Sequence, residues 1–401
     1  MRILHTADWH LGKRLDFFSR HEEQLEVMAE ICQIAKDQEV DMVIVAGDLF
    51  DAFNPPVGST ELLYKTLKQL TRNGTIPVVA IAGNHDSPDR VNVADVLARE
   101  NGIIFIGNPT DEVPTFETEG GFKVTKSDIG FIEIALPQYK YPVRLMHTAF
   151  ANEVRLKEYF GEDKQQSLQD SLSHKWQSLS DKYCDDKGVN LLTSHLFMLK
   201  RGEDVPQEPD GEKPINIGNA DLIYSDSVPK SIQYVALGHL HRHQDVGEHQ
   251  PVVYSGSPLS YSFSEASQQK YVAIVDIEPN SEANVTQIPL KGGRGLVRKS
   301  FNCVDALVEW LSENPYKLVE ITLEMDEYLK AEDRKRIYQS HDGIIHLIPK
   351  VTNDKSAESV STSIDLTKEV GSLFIDYFKS KNEGQEPNEE IMNLFNEILN
   401  N

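Results

Sequence analysis

At 401 residues, with 39% hydrophobic and 26% charged residues, the chain is a globular protein too long for one ordinary core, so two or three domains are expected. No apolar run approaches the ~20 residues of a membrane helix, and residues 1–5 enter a strand with no apolar signal segment. Cys32, Cys184 and Cys303 offer neither a disulfide framework nor a thiolate zinc site, which points to a reducing cytosol. With 40 Lys and Arg against 63 Asp and Glu, the formal charge of −23 argues against electrostatic coating of nucleic acid, unless bound cations or a partner invert the field locally.

The first segment alternates strand and helix. Residues 2–6 form a short strand, and 20–38 a helix with Leu25, Met28, Ile31, Ile34 and Ala35 on one face. Residues 41–46 (DMVIVA) are a continuous apolar run, as in a strand covered on both faces. A capped helix over 59–72 follows, then a second buried strand over 77–82 (PVVAIA), a helix over 89–101 and a strand over 103–106. The rhythm resumes at 190–193, 232–237, 252–255 and 271–277, which predicts a two-sheet α/β sandwich. Between these, 200–214 is polar, rich in Pro and Gly, and reads as a mobile surface loop.

Three domains are expected. Residues 1–280 carry the sandwich. Residues 285–350 read strand, strand, helix (304–313), strand (317–323), helix (331–340), strand (344–349), a compact α+β unit. Residues 352–363 read as a linker. The tail, 363–401, offers two amphipathic helices, one with the stripe Leu366, Val370, Leu373, Phe374, Tyr377 and Phe378, the other with Ile391, Leu394, Phe395, Ile398 and Leu399. They either pack on their own domain or dock a partner.

Five polar motifs each follow a strand-like run: Asp8-Trp9-His10, Gly47-Asp48-Leu49-Phe50-Asp51, Gly83-Asn84-His85-Asp86, Ser194-His195 and Gly238-His239-Leu240-His241. Any one of these histidines alone reads as a surface or core imidazole. The set, converging from strand carboxyl ends, is the ligand collection a pair of divalent cations needs. Asp8 and His10, one residue apart, point the same way if that segment is extended and can grip one cation. Asp48 follows Gly47, which permits a tight turn, and its two oxygens can bridge two ions. Asn84 is a neutral oxygen ligand. His239 and His241 repeat the one-residue spacing, and His195 supplies a further imidazole. Carboxylate, amide and imidazole without thiolate favour Mn²⁺, Fe²⁺ or Mg²⁺, and such a pair suits hydrolysis of phosphate esters. His85 is then free to act as proton donor or clamp, with Asp51 placed to hold it. Trp9 reads as packing under its loop.

The order of these motifs resembles the calcineurin-like metallophosphoesterase superfamily. More narrowly, MRILHTADWHLGKRLD (1–16), VAGDLFD (45–51), AGNHDSP (82–88), YVALGHLH (234–241) and YSGSPLSYSFSE (254–265) look like the SbcD family of nuclease subunits. That resemblance implies Asp8, His10, Asp48 and His241 around one ion, and Asp48, Asn84, His195 and His239 around the other, with Mn²⁺ as the metal. It implies His85 as the catalytic histidine and Asp51 as its partner, residues 285–350 as a cap beside a DNA groove, and tail helices that grip the coiled-coil base of an SbcC-like ABC-type ATPase. It further implies a homodimer, DNA repair as the context, exonuclease action on duplex ends and endonuclease action on single strands or hairpins. Lys13, Arg14, Arg20, Arg90 and Lys140 are candidates for phosphate contact. The alternative is another phosphoesterase of the superfamily, acting on small phosphodiesters or phosphoproteins. Against a phosphatase, Asp51 is followed by Ala52-Phe53 and not by Arg-Gly.

Overall fold

The structure is a computed structural model. It describes residues 1–93, 95–159, 164–203, 222–327, 329–351 and 370–381, together with 387, 391, 392 and 395. Most of the expected loop at 200–214, the linker at 352–363 and much of the tail lie outside the described residues.

Two sheets face each other. The first has six strands in the order Asn284–Pro289, Tyr271–Asp276, Arg2–Thr6, Met42–Ala46, Val78–Ile81, Ile103–Ile106. Its last four strands are parallel. The second has eight, and its central strands Val143–Thr148, Val189–His195, Tyr234–Gly238 and Val252–Tyr254 are also parallel. Ile3, Ile44, Val79 and Ile104 of one sheet meet Ile132, Leu145, Leu191 and Ala236 of the other in a common apolar layer. Successive side chains alternate between strand faces, so Leu4, Val43 and Val45 point outward onto the helices His21–Asp37 and Val57–Leu70. On the far side, Leu168, Leu172 and Trp176 of the helix Lys164–Tyr183 cover Met146, Leu192 and Val235. Each fully buried Val, Leu or Ile contributes roughly 1.5–3 kcal/mol. Such two-sided burial fixes the ends of the central strands, and with them the loops that follow.

The helix expected over 89–101 is two short ones, Pro88–Asn92 and Asp95–Glu100. Asn92, at the end of the first, donates its side-chain amide to Asp111 Oδ2 at 2.8 Å.

A third, three-stranded parallel sheet, Gly295–Phe301, Lys317–Met325 and Ile344–Val351, packs on the helices Val304–Glu313 and Ala331–Ser340 through Leu307, Leu311, Val319, Ile321 and Ile337. This unit begins at Gly295 and not at 285. The strand Asn284–Pro289 turns back in a hairpin and pairs antiparallel with Tyr271–Asp276, so it belongs to the first sheet. The small unit leans on the loop after the first motif. Leu15 and Phe263 pack with Leu296, Leu318 and Ile345, and His346 bonds to both Asp16 and Glu320.

In the tail, the helix Val370–Lys381 is described, and Phe374 stacks on Phe395 with ring centroids 4.0 Å apart. No helix among the described residues is long and apolar enough to cross a membrane.

Candidate metal centre

All five motifs emerge at the carboxyl ends of parallel strands: Arg2–Thr6, Met42–Ala46 and Val78–Ile81 in the first sheet, Val189–His195 and Tyr234–Gly238 in the second. This is the edge at which α/β sheets bind ligands. The first two loops are zipped together. Asp8 N donates to Gly47 O at 3.0 Å, His10 N to Asp48 O at 2.9 Å and Leu11 N to Leu49 O at 3.1 Å.

These loops are not extended. Asp8, His10 and Asp48 have φ of 54°, 43° and 48°, and His239 has 116°. The extended geometry expected for Asp8 and His10 is therefore replaced by left-handed turns, a conformation that costs of order 1–3 kcal/mol per residue and clusters at functional sites. Two glycines make the approach possible. Gly47 has φ of 95°, and a Cβ there would stand 2.1 Å from His195 Nδ1; a Cβ on Gly83 would stand 2.1 Å from Asp48 Oδ1.

The side chains converge in a buried centre. Asp8, His10, Asp48, His85, His195, His239 and His241 are all buried. Asp8, His10 and His241 form one tight group, Asp8, Asp48 and His195 a second, and His10, Asp51 and His85 a third. Asp8 belongs to both of the first two, and Asp48 Oδ2 lies 3.5 Å from His10 Nε2 of the first and 3.4 Å from His195 Nε2 of the second. Asn84 Oδ1 lies 3.0 Å from His195 Nε2. His239 stands outside these groups, with its ring 5.5 Å from that of His195 and its amide donating to Asp8 Oδ1 at 2.9 Å.

Several histidines are anchored through Nδ1. His195 Nδ1 bonds to Ala46 O at 2.9 Å, His241 Nδ1 to Glu265 Oε1 at 3.1 Å, and His85 Nδ1 to Asp51 O at 2.9 Å. Outer partners of this kind orient metal-binding imidazoles. For Asp51 the holding group differs from expectation. Its backbone carbonyl bonds to His85, while its carboxylate lies 4.0 Å from His85 Nδ1, bonds to Lys13 Nζ at 3.0 Å and faces His10 Nδ1 at 3.6 Å.

The electrostatics are those of charges buried without bulk water. Burial raises the Asp8 carboxyl to about 7, against the pull of His195 and His241. Burial works the same way on Asp48, but His195, His10 and His85 outweigh it and hold that carboxyl well below its usual range. His195, desolvated yet facing Asp48 and Asp8, rises to about 9.

Do these residues fit metal ions? His10 Nε2 and His241 Nε2 face each other at 3.0 Å, which sets two lone pairs against each other unless a proton or cation lies between. Asp8 Oδ2 and both ring nitrogens of His239 are buried without a hydrogen-bond partner among the described residues, and unsatisfied buried polar atoms of this sort are costly. The donor set of carboxylate, amide and imidazole suits divalent cations. It fits.

The comparisons with known proteins agree. The family model of the calcineurin-like phosphoesterases matches residues 1–243. The SbcD subunit of the SbcCD nuclease of Bacillus subtilis is 34% identical, over 99% of this chain and 97% of its own length. The chain belongs to the SbcD branch of the calcineurin-like phosphoesterases. A second relative with the same description, from Staphylococcus epidermidis, is 31% identical over 74% of this chain and 71% of its own. A solved structure from Thermus thermophilus is 11% identical and covers 71% of this chain and 98% of that one, at a TM-score of 0.36 too low to bear on the fold. The protein is accordingly a hydrolase of phosphoester bonds, with a His and Asp cluster that fits a dinuclear metal site.

Reading the motifs missed several supporting residues. Asp86 is fully buried and accepts from Leu49 N at 3.0 Å, Phe50 N at 2.9 Å and Gly83 N at 2.8 Å, tying the second loop to the third. Arg155 donates to Gly83 O at 2.9 Å and Asp86 O at 2.8 Å while lying over Phe150. Asp86 stands inside a quoted motif and could have been found; Arg155 carries no local signal. Trp9 is buried and bonds to Thr6, a packing role. Arg20 is buried against Glu23 and Ser260, which removes it from the candidates for phosphate contact.

Proposed function

We infer that this chain is a Mn²⁺-dependent DNA nuclease acting by two-metal hydrolysis, and that it works with an SbcC-type ATPase in DNA repair. The observation that carries the reading is the position of Asp48 Oδ2 between His10 and His195, 3.5 and 3.4 Å away. Asp8, His10, Asp48 and His241 would hold one ion, and Asp48, Asn84, His195 and His239 the other. Two divalent cations in such a site supply a nucleophile at neutral pH and compensate charge on the phosphate. In the reaction, water adds to phosphorus, the bond to the leaving sugar oxygen breaks, and that oxygen takes up a proton. His85 is the donor in this reading. The Asp51 carbonyl accepts from Nδ1, so the proton given to the leaving oxygen comes from Nε2 of the doubly protonated ring, which is left as neutral imidazole.

A path for a phosphate backbone is supported by a recess of about 490 Å³ lined by Lys13, Arg14, Arg298 and His346 and by the carboxylates Asp16, Asp51 and Glu320. Lys13 and Arg298 are paired with Asp51 and Glu320, so the recess is close to neutral in a chain of net charge −23. The unit from Gly295 to Val351 is the cap on one side of this recess. The tail supports docking of an ATPase coiled coil, with Tyr377 exposed beside the Phe374–Phe395 stack. A homodimer is supported by exposed Phe53 and Val57 on one segment and exposed Val93, Val96 and Leu97 on another, the first bonded through Asn54 to Arg90 at 2.8 Å. Exonuclease action on duplex ends, endonuclease action on single strands and hairpins, and a cytoplasmic location complete the proposal.

The test is cleavage of end-labelled duplex and hairpin DNA in Mn²⁺ by the chain, with and without its ATPase partner, beside His85→Ala. Cleavage by the parent and a ~10²–10⁴-fold loss in the variant, with metal content unchanged, supports the assignment. Hydrolysis of a small phosphodiester only, even with the partner and ATP, contradicts it.

A further inference from the structure

Behind His241 the Glu265 that anchors its Nδ1 is half of a buried ion pair with Lys270. Glu265 ends the short helical turn Phe263–Glu265 and is 1% exposed. Its Oε1 accepts from His241 Nδ1 at 3.1 Å and from Tyr261 N at 3.2 Å. Its Oε2 accepts from Lys270 Nζ and faces Ser257 Oγ at 3.5 Å. Lys270, also buried, has its three donors matched to three acceptors: Glu265, the His241 carbonyl at 2.9 Å and Ser257 Oγ at 3.1 Å. One lysine therefore grips both the main chain of His241 and the carboxylate that holds its ring.

A buried pair of this kind is weak evidence for stability, because desolvation of two charges offsets most of their attraction. Its geometry suits another task. A carboxylate on Nδ1 keeps the proton there and turns the Nε2 lone pair towards His10 and Asp8. His195 has a neutral backbone carbonyl on the same nitrogen, so the two sides of the centre are supported unequally.

We propose that Glu265, locked by Lys270, is a positioning residue that fixes the tautomer and orientation of His241 and so sets the affinity of one cation position independently of the other. This rests on the two-metal reading of the centre.

The experiment is Mn²⁺ titration calorimetry of the full-length chain and of E265Q, with thermal melting to confirm folding. Two sites are expected in the parent. In E265Q, one should weaken roughly 10- to 100-fold while the other holds. Equal weakening of both, or no weakening, overturns the proposal. E265Q leaves the Lys270 charge buried without its partner, so E265Q/K270M is titrated as well; it removes both charges and should show the same one-sided loss. A further readout needs no variant: ¹⁵N-histidine spectra of the metal-free parent should show His241 protonated on Nδ1, and a proton on Nε2 instead overturns the assignment. A parent that binds no Mn²⁺ overturns the two-metal centre itself, a failure distinct from that of Glu265.

Discussion

One carboxylate oxygen of Asp48 accepts the amide of His85 at 2.9 Å, while the other faces His10 and His195. A single side chain thus ties the loop carrying the candidate proton donor to one histidine from each of the first two side-chain groups. Displacing the His85 loop should disturb the centre, and disturbing Asp48 should displace the loop.

Asp86 is the residue whose loss separates the two loops. It accepts three buried backbone amides, and leaving such donors unsatisfied costs about 1–3 kcal/mol each. Asp86→Ala should lower unfolding free energy by at least ~3 kcal/mol in urea denaturation. Asp86→Asn, which keeps an acceptor oxygen, should lose less.

Arg155 grips the third loop through two carbonyls, Gly83 O and Asp86 O. A planar guanidinium makes that fork and an ammonium does not. Arg155→Lys should therefore behave like Arg155→Ala: a lower kcat for phosphodiester hydrolysis with Mn²⁺ stoichiometry unchanged. Rescue by Lys would show that charge alone matters there.

A pH dependence follows from His147. It is fully buried, neither ring nitrogen has a hydrogen-bond partner among the described residues, and burial lowers its pKa from 6.5 to about 4. In the unfolded chain it protonates near 6.5, so the unfolded state binds the extra proton and stability falls as pH drops from about 6.5 towards 4. The full loss at acid pH is on the order of 3 kcal/mol, at about 1.4 kcal/mol per pKa unit. His147→Leu should leave stability at about pH 7.5 equal or higher and flatten the fall between pH 6.5 and 4. An unchanged acid slope in denaturant titrations would contradict this.

The parts of this architecture legible in the sequence are those set by local pattern. Residues 41–46 and 77–82 read as buried strands because both faces are covered, and the structure places Met42–Ala46 and Val78–Ile81 there. The motif residues can be picked out by chemical type, but their geometry cannot. The left-handed turns at Asp8 and His10 depend on amides that bond to Gly47 O and Asp48 O, in a loop distant along the chain. The strand Asn284–Pro289 reads as part of the wrong unit because a strand pattern does not say which sheet it will join. Glu265 closes the quoted segment 254–265, but its role is not legible there: it comes from His241 and Lys270, which only the fold brings to its two oxygens. The helix Lys164–Tyr183 does carry a stripe, Leu168, Leu172 and Trp176, but an otherwise polar segment hides it.

The most direct test of the central claim is anomalous diffraction from crystals of the chain soaked in Mn²⁺. Two manganese peaks are expected, one on either side of the Asp48 carboxylate, one near His10 and His241 and the other near Asn84 and His195. A single peak, or peaks away from Asp48, would contradict a two-metal centre bridged by that residue.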